Sequence, residues 1–67
     1  MITIVLVKDD QTYIASADNK KGLELACTEL VESNDEIDIF DSIRLNMLLI
    51  HLANVDFEIE KRTILYV

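Results

Sequence analysis

Ser33-Asn34-Asp35-Glu36-Ile37-Asp38-Ile39-Phe40-Asp41 is the stretch on which the fold turns, and it reads in two ways. Ser33 with Glu36 resembles a capping box that would open a long helix, whereas Ile37 and Ile39 alternate with acids as the two faces of a strand do. A helical wheel arbitrates. In a helix running through the segment, Asp38 and Asp41 project into the same arc as Leu45, Leu49 and Leu52, and carboxylates buried there without partners are costly. The expectation is a short strand over 36–40, with Asp41 or Ser42 capping a helix over about 43–53.

Upstream, residues 2–7 form a β-branched apolar run without alternation, the pattern of a strand covered on both faces and placed inside a sheet. Lys8, Asp9, Asp10 and Gln11 make a polar break before residues 12–16 resume β-type chemistry, which predicts an antiparallel hairpin. Asp18 or Asn19 can cap a helix over 20–32, because Leu23, Ala26, Cys27, Leu30 and Val31 recur at spacings of three and four. Glu24, Thr28 and Glu32 occupy its opposite side, and Ser33 and Asn34 end it.

Downstream, the 43–53 helix is apolar nearly all round, with Arg44 and His51 as a narrow polar stripe. A small domain cannot wrap such a helix completely, so a second subunit is expected to cover part of it. Residues 55–67 alternate through Val55, Phe57 and Ile59 and resume after Glu60, Lys61 and Arg62, as one bent strand or a tight hairpin. Ile64, Leu65, Tyr66 and Val67 are expected to pair in the sheet, since a frayed end of these residues would aggregate. These readings predict one α+β domain over 1–67 in the order β-β-α-β-α-β, with two helices on one sheet. The alternative is β-β-α-α-β, in which a longer second helix replaces the third strand.

Sixty-seven residues bury a thin core, and domains of this size lean on disulfides, a structural metal or association. Cys27 is the only cysteine and no cluster of cysteine and histidine exists, so neither a disulfide, a metal nor another cofactor is expected, and association is left. The absence of proline and the single glycine leave no linker. The longest apolar runs, 4–7 and 47–50, fall far short of the roughly 20 residues that span a bilayer. A start without a secretory signal pattern, together with a lone thiol, reads as cytoplasmic.

Thirteen acids against six bases give a net charge of −7, which repels nucleic acid and anionic lipid and attracts basic protein surfaces over roughly 8 Å. Glu24 and six further acids follow Lys21 with no base before Arg44. A solvated face accounts for such a run through solubility alone. The functional reading is a docking surface made by Glu29, Glu32, Asp35, Glu36, Asp38 and Asp41 for a protein with a basic surface, in the limit a nucleic-acid mimic in which carboxylates replace phosphates. Such a protein would act by occlusion, as a small inhibitor or modulator of the kind a virus encodes. The alternative is a homo-oligomeric accessory subunit joined through Leu45, Leu49, Leu52, Leu65 and Val67. No enzyme is expected. Cys27 reads as core, His51 stands beside Arg44, and no glycine-rich turn supplies oxyanion donors or cradles a phosphate. Tyr13, Phe40, Phe57 and Tyr66 read as core or sheet-face residues. A calcium loop needs a mid-loop glycine, and 35–41 has none.

Overall fold

A computed structural model describes all residues 1–67. Ile2–Lys8 (β1) and Gln11–Ala17 (β2) form the expected antiparallel hairpin, closed by Asp9 and Asp10. Asp9 adopts φ 53°, the left-handed conformation that a tight two-residue turn demands and that aspartate tolerates better than most residues. Lys20–Ser33 (α1) follows, then Ile39–His51 (α2), a 3₁₀ turn over Leu52–Asn54, and Lys61–Tyr66 (β3). The sheet order is β2-β1-β3, with β3 parallel to β1. The chain is therefore α+β in the order ββααβ, the alternative order.

No strand forms over 36–40, and the physical reason lies in Asp41. The helix begins at Ile39, capped by Asp38, whose side chain accepts the Asp41 N–H while Asp41 accepts the Asp38 N–H, a reciprocal capping box. Asp41 lies in the buried arc that a helical wheel gives it, where only 7% of it remains exposed, whereas Asp38 stays exposed as the cap outside the helix. The buried carboxylate does not lack a partner. Lys8, at the far end of β1, reaches Asp41 Oδ2 at 2.5 Å.

β1 lies in the centre of the sheet as expected, but it is covered on one face only. Ile2, Ile4 and Leu6 are fully buried under the helices, whereas Thr3, Val5 and Val7 are half-buried on the open face. There the rows Ile14–Val5–Ile64 and Thr12–Val7–Tyr66 run across the three strands. The unbroken apolar run thus reflects one true core face and one semi-exposed β-branched face.

α1 obeys its periodicity: Leu23 and Cys27 are buried, and Ala26, Leu30 and Val31 pack around them. Asn19 caps it by accepting the Gly22 N–H at 2.7 Å, and Gly22 lies so close to Ala17 that a Cβ there would stand 3.2 Å from the alanine methyl. Leu45, Leu49 and Leu52 complete the main core. A smaller cluster of Leu6, Tyr13 and Ile37 closes the hairpin-turn end, so Ile37 of the inter-helix junction acts as an apolar plug. Val55 and Phe57 pack on the core from a loop instead of a strand, and β3 begins only at Lys61, neither a bent strand from 55 nor a hairpin. The chain end pairs as expected, through β3 and the Val67 N–H donated to Val7 O. No helix is long and apolar enough to cross a membrane.

Candidate functional site

Strand register fixes which charges meet. Ile2 stands opposite Ala17 and Lys61, so the start of β1, the start of α1 and the start of β3 share one pole of a molecule 31 Å long. Lys20, Lys21, Lys61 and Arg62 fall there among Asp18, Asp56, Glu58 and Glu60, the 56–58 turn being held at this pole by the Met1 amine, which donates to the Phe57 carbonyl. The other pole contains the hairpin turn, the end of α1 and the start of α2, because Lys8 bonds to both Glu36 and Asp41. Six carboxylates gather at that pole, Asp9, Asp10, Asp35, Glu36, Asp38 and Asp41, against one ammonium. None of the thirteen acids lies in a strand.

Lys8 sits at this pole by parity. It continues the inward set Ile2, Ile4, Leu6, and its side chain therefore points beneath the helices and not to the open face. Its Nζ donates to Asp41 Oδ2 and to the Glu36 carbonyl, each at 2.5 Å, and lies 3.6 Å from Asp38 Oδ2. The bond to Asp41 holds the ammonium above the ordinary lysine range, with the Asp38 charge acting in the same direction. Asp38 is held below the usual carboxylate range, first by the Asp41 N–H that it accepts. Tyr13, one strand away, donates its hydroxyl to Glu36 Oε1 at 2.5 Å. That bond depresses the Glu36 carboxyl and pushes the Tyr13 phenol up to about 12.

The six acids singled out in the sequence therefore separate. Asp41 is buried and paired, which removes it from any docking surface, and Asp38 and Glu36 are exposed but internally bonded. Glu29, Glu32 and Asp35 are exposed, and the only two ion pairs of the protein are both made by Lys8. α1 has no base in its last turn, so the carbonyl end of the helix adds negative potential beside Glu29, Glu32 and Asp35. Asp9 and Asp10, which the sequence reading left apart from the others, complete the pole; the inward parity of Lys8 was the available signal.

The interface residues expected on the apolar helix are displaced. Leu45, Leu49 and Leu52 belong to the core, and Leu65 and Val67 pack half-buried against it. The uncovered surface of α2 is instead Ile39, Phe40, Ile43, Met47 and Ile50, each half to three-quarters exposed. Phe40, Ile43, Met47 and Ile50 repeat at three and four residues, a two-heptad seam. Phe40 is thus neither core nor sheet face.

Cys27 is buried, and desolvation pushes its thiol up to about 11, so it serves as a small core hydrophobe and not as a thiolate. It borders a groove of ≈ 180 Å³ between the helices, with Glu32 and Asn46 at the rim. His51 and Arg44 flank a shallow crevice over Met47 and Leu65, which shares no lining residue with the groove beside that thiol. No group of three potential metal-ligating side chains converges. Comparison with protein-family models, with curated proteins and with solved structures gives no match.

Proposed function

We infer that the protein is a small acidic binding module that docks its hairpin-turn pole on a basic surface of a larger protein and acts by occluding it. The observation that carries this reading is the meeting of six carboxylates and one ammonium at one pole, with Asp9, Asp10 and Asp35 exposed and free of ion pairs. Such a pole raises the rate of encounter with a cationic surface and repels nucleic acid. The network below it, Lys8 with Asp41 and Tyr13 with Glu36, fixes the junction from which Asp35 and Asp38 project. An inhibitory role at a nucleic-acid groove, such as a virus-encoded protein would play, is the most specific form of the proposal.

The test compares proteins captured by the tagged wild type and by the D9N/D10N/D35N variant, at low and high salt. Basic proteins held at low salt, released at high salt and absent from the variant support the reading. Capture that is the same at both salts and for both chains overturns it.

A second reading rests on the seam of Phe40, Ile43, Met47 and Ile50, which is an apolar strip on a helix with its opposite side in the core. In that reading α2 packs on another copy of the chain as an accessory subunit. Replacing Met47 by glutamate would then yield monomers, whereas an unchanged sedimentation coefficient removes it.

A further inference from the structure

The two edges of the sheet are not alike. β3 starts with Lys61 and Arg62, charges of the kind that keep a strand edge from pairing with foreign strands. β2 reads Gln-Thr-Tyr-Ile-Ala-Ser-Ala: seven residues without a charge, a proline or a bulge. The register makes Lys8 and Gln11 the bonded pair that closes the turn, so the N–H and C=O groups of Thr12, Ile14 and Ser16 point away from β1. None of them takes part in the backbone bonds made outside the strands and helices. β2 is thus a free, unguarded edge.

Beside this edge runs an open groove of ≈ 420 Å³ between β2 and α1. Its floor is Ala15 and its helix wall is Ala26 and Leu30, small or aliphatic groups, with Glu29 and Ser33 along the rim. A strand added to β2 would lie about 4.8 Å further out and send every second side chain under α1 into this groove. Glu29 is exposed and makes no ion pair, so it stands as an unclaimed acceptor above that track.

We propose that the β2 edge and the β2–α1 groove bind an extended segment of a basic partner by strand addition. Thr12, Ile14 and Ser16 supply the main-chain bonds, a small aliphatic side chain enters against Ala26 and Leu30, and a lysine or arginine pairs with Glu29. Main-chain bonding gives affinity and alternate side chains give selectivity. The charge of the segment follows from Glu29 and from the net charge of −7, which also disfavours a second copy of this chain, since its β2 brings no base to Glu29. The proposal deepens the acidic-module reading and rests on it for the sign of the partner.

The test titrates the isotope-labelled protein with the peptide Val-Thr-Lys-Thr-Val-Thr-Lys-Thr, with its fully N-methylated form and with a form carrying glutamine for lysine. Amide shifts confined to 12–16 and 26–33 are expected. The N-methylated peptide should bind at least about tenfold more weakly, since several main-chain bonds are lost. The glutamine peptide, or Glu29→Gln in the protein, should cost about threefold and flatten the salt dependence. Ile14→Pro, which removes an outward N–H, should reduce binding about as much as N-methylation does. N-methylation leaves the protein untouched, so it decides the matter even if that variant unfolds. No binding, or shifts centred on α2, overturns the proposal. Salt-sensitive binding indifferent to N-methylation overturns strand addition and leaves the acidic pole standing. Binding indifferent to lysine overturns the basic occupant together with the charge reading. Self-association abolished by Ile14→Pro replaces the peptide with a second copy.

Discussion

Between Glu29 and Asp41 six carboxylates fall within thirteen residues, yet the first three and the last three behave differently. Glu29, Glu32 and Asp35 line the exit of α1 with no ion pair and no base in the last turn. Glu36, Asp38 and Asp41 hold the junction: one accepts a tyrosine hydroxyl, two exchange backbone bonds, and Lys8 binds the set. Residue type is the same in both halves. What differs is whether a donor from another element arrives, and only the closing of the hairpin delivers Lys8 and Tyr13. The second half fixes the chain, and the first half makes no ion pair within it.

The largest effect that would sharpen this contrast comes from the plug beneath the engaged half. Ile37→Ala should lower unfolding free energy by about 2–3 kcal/mol, read from urea midpoints, because it empties the small cluster with Leu6 and Tyr13. Next, Asp41→Ala should cost about 1–2 kcal/mol. It removes half of the capping box and leaves the ammonium of Lys8, whose side chain is 22% exposed, with Asp38 and the Glu36 carbonyl only. A loss below measurement there would mean that the two halves are not different after all.

A pH series separates the halves more finely. Glu36 and Asp38 are depressed in the folded state, so their contribution is complete above the unfolded values near about 4 and disappears as pH falls through the lower folded values. The stability gap between wild type and the E36Q/D38N variant should therefore be full at neutral pH and close in acid. Tyr13 has the opposite sign: raised to about 12, its contribution is complete below the unfolded value near about 10 and is lost as pH climbs towards the folded value. Tyr13→Phe should reduce the alkaline decline, measured by circular dichroism, to the part that the raised Cys27 thiol and Lys8 ammonium contribute. The smallest effect belongs to the free half. E29Q/E32Q/D35N should shift stability by no more than about 0.5 kcal/mol, in the favourable direction if at all, since only like-charge repulsion is removed. A large loss would show that these acids hold the fold too.

α2 adds a related contrast on a single element. Its inner side sets Leu45 and Leu49 in the core, while Phe40, Ile43, Met47 and Ile50 stay uncovered. An all-round apolar helix announces that some of its residues must be left outside, but periodicity alone does not say which. Leu45 and Leu49 share an arc with Asp41 just as Phe40 and Met47 share another. The buried arc is the one whose carboxylate Lys8 reaches.

The hairpin, the amphipathic first helix with a cap at Asp18 or Asn19 and the burial of Cys27 were legible from residue order, because each depends on neighbours within a few positions, and the pairing of the chain end was legible from its apolar composition although its partner, β1, lies far away in the chain. The excess of negative charge was legible for the same reason. The start of α2, the open face of β1, the identity of the uncovered stripe and the joining of Asp9 and Asp10 to Asp35 were decided by tertiary structure. Each depends on a partner far along the chain: Lys8 lies 33 residues from Asp41, and Tyr13 lies 23 from Glu36. A carboxylate's cost in a core is set by the cation that meets it, and local pattern carries no information about that meeting.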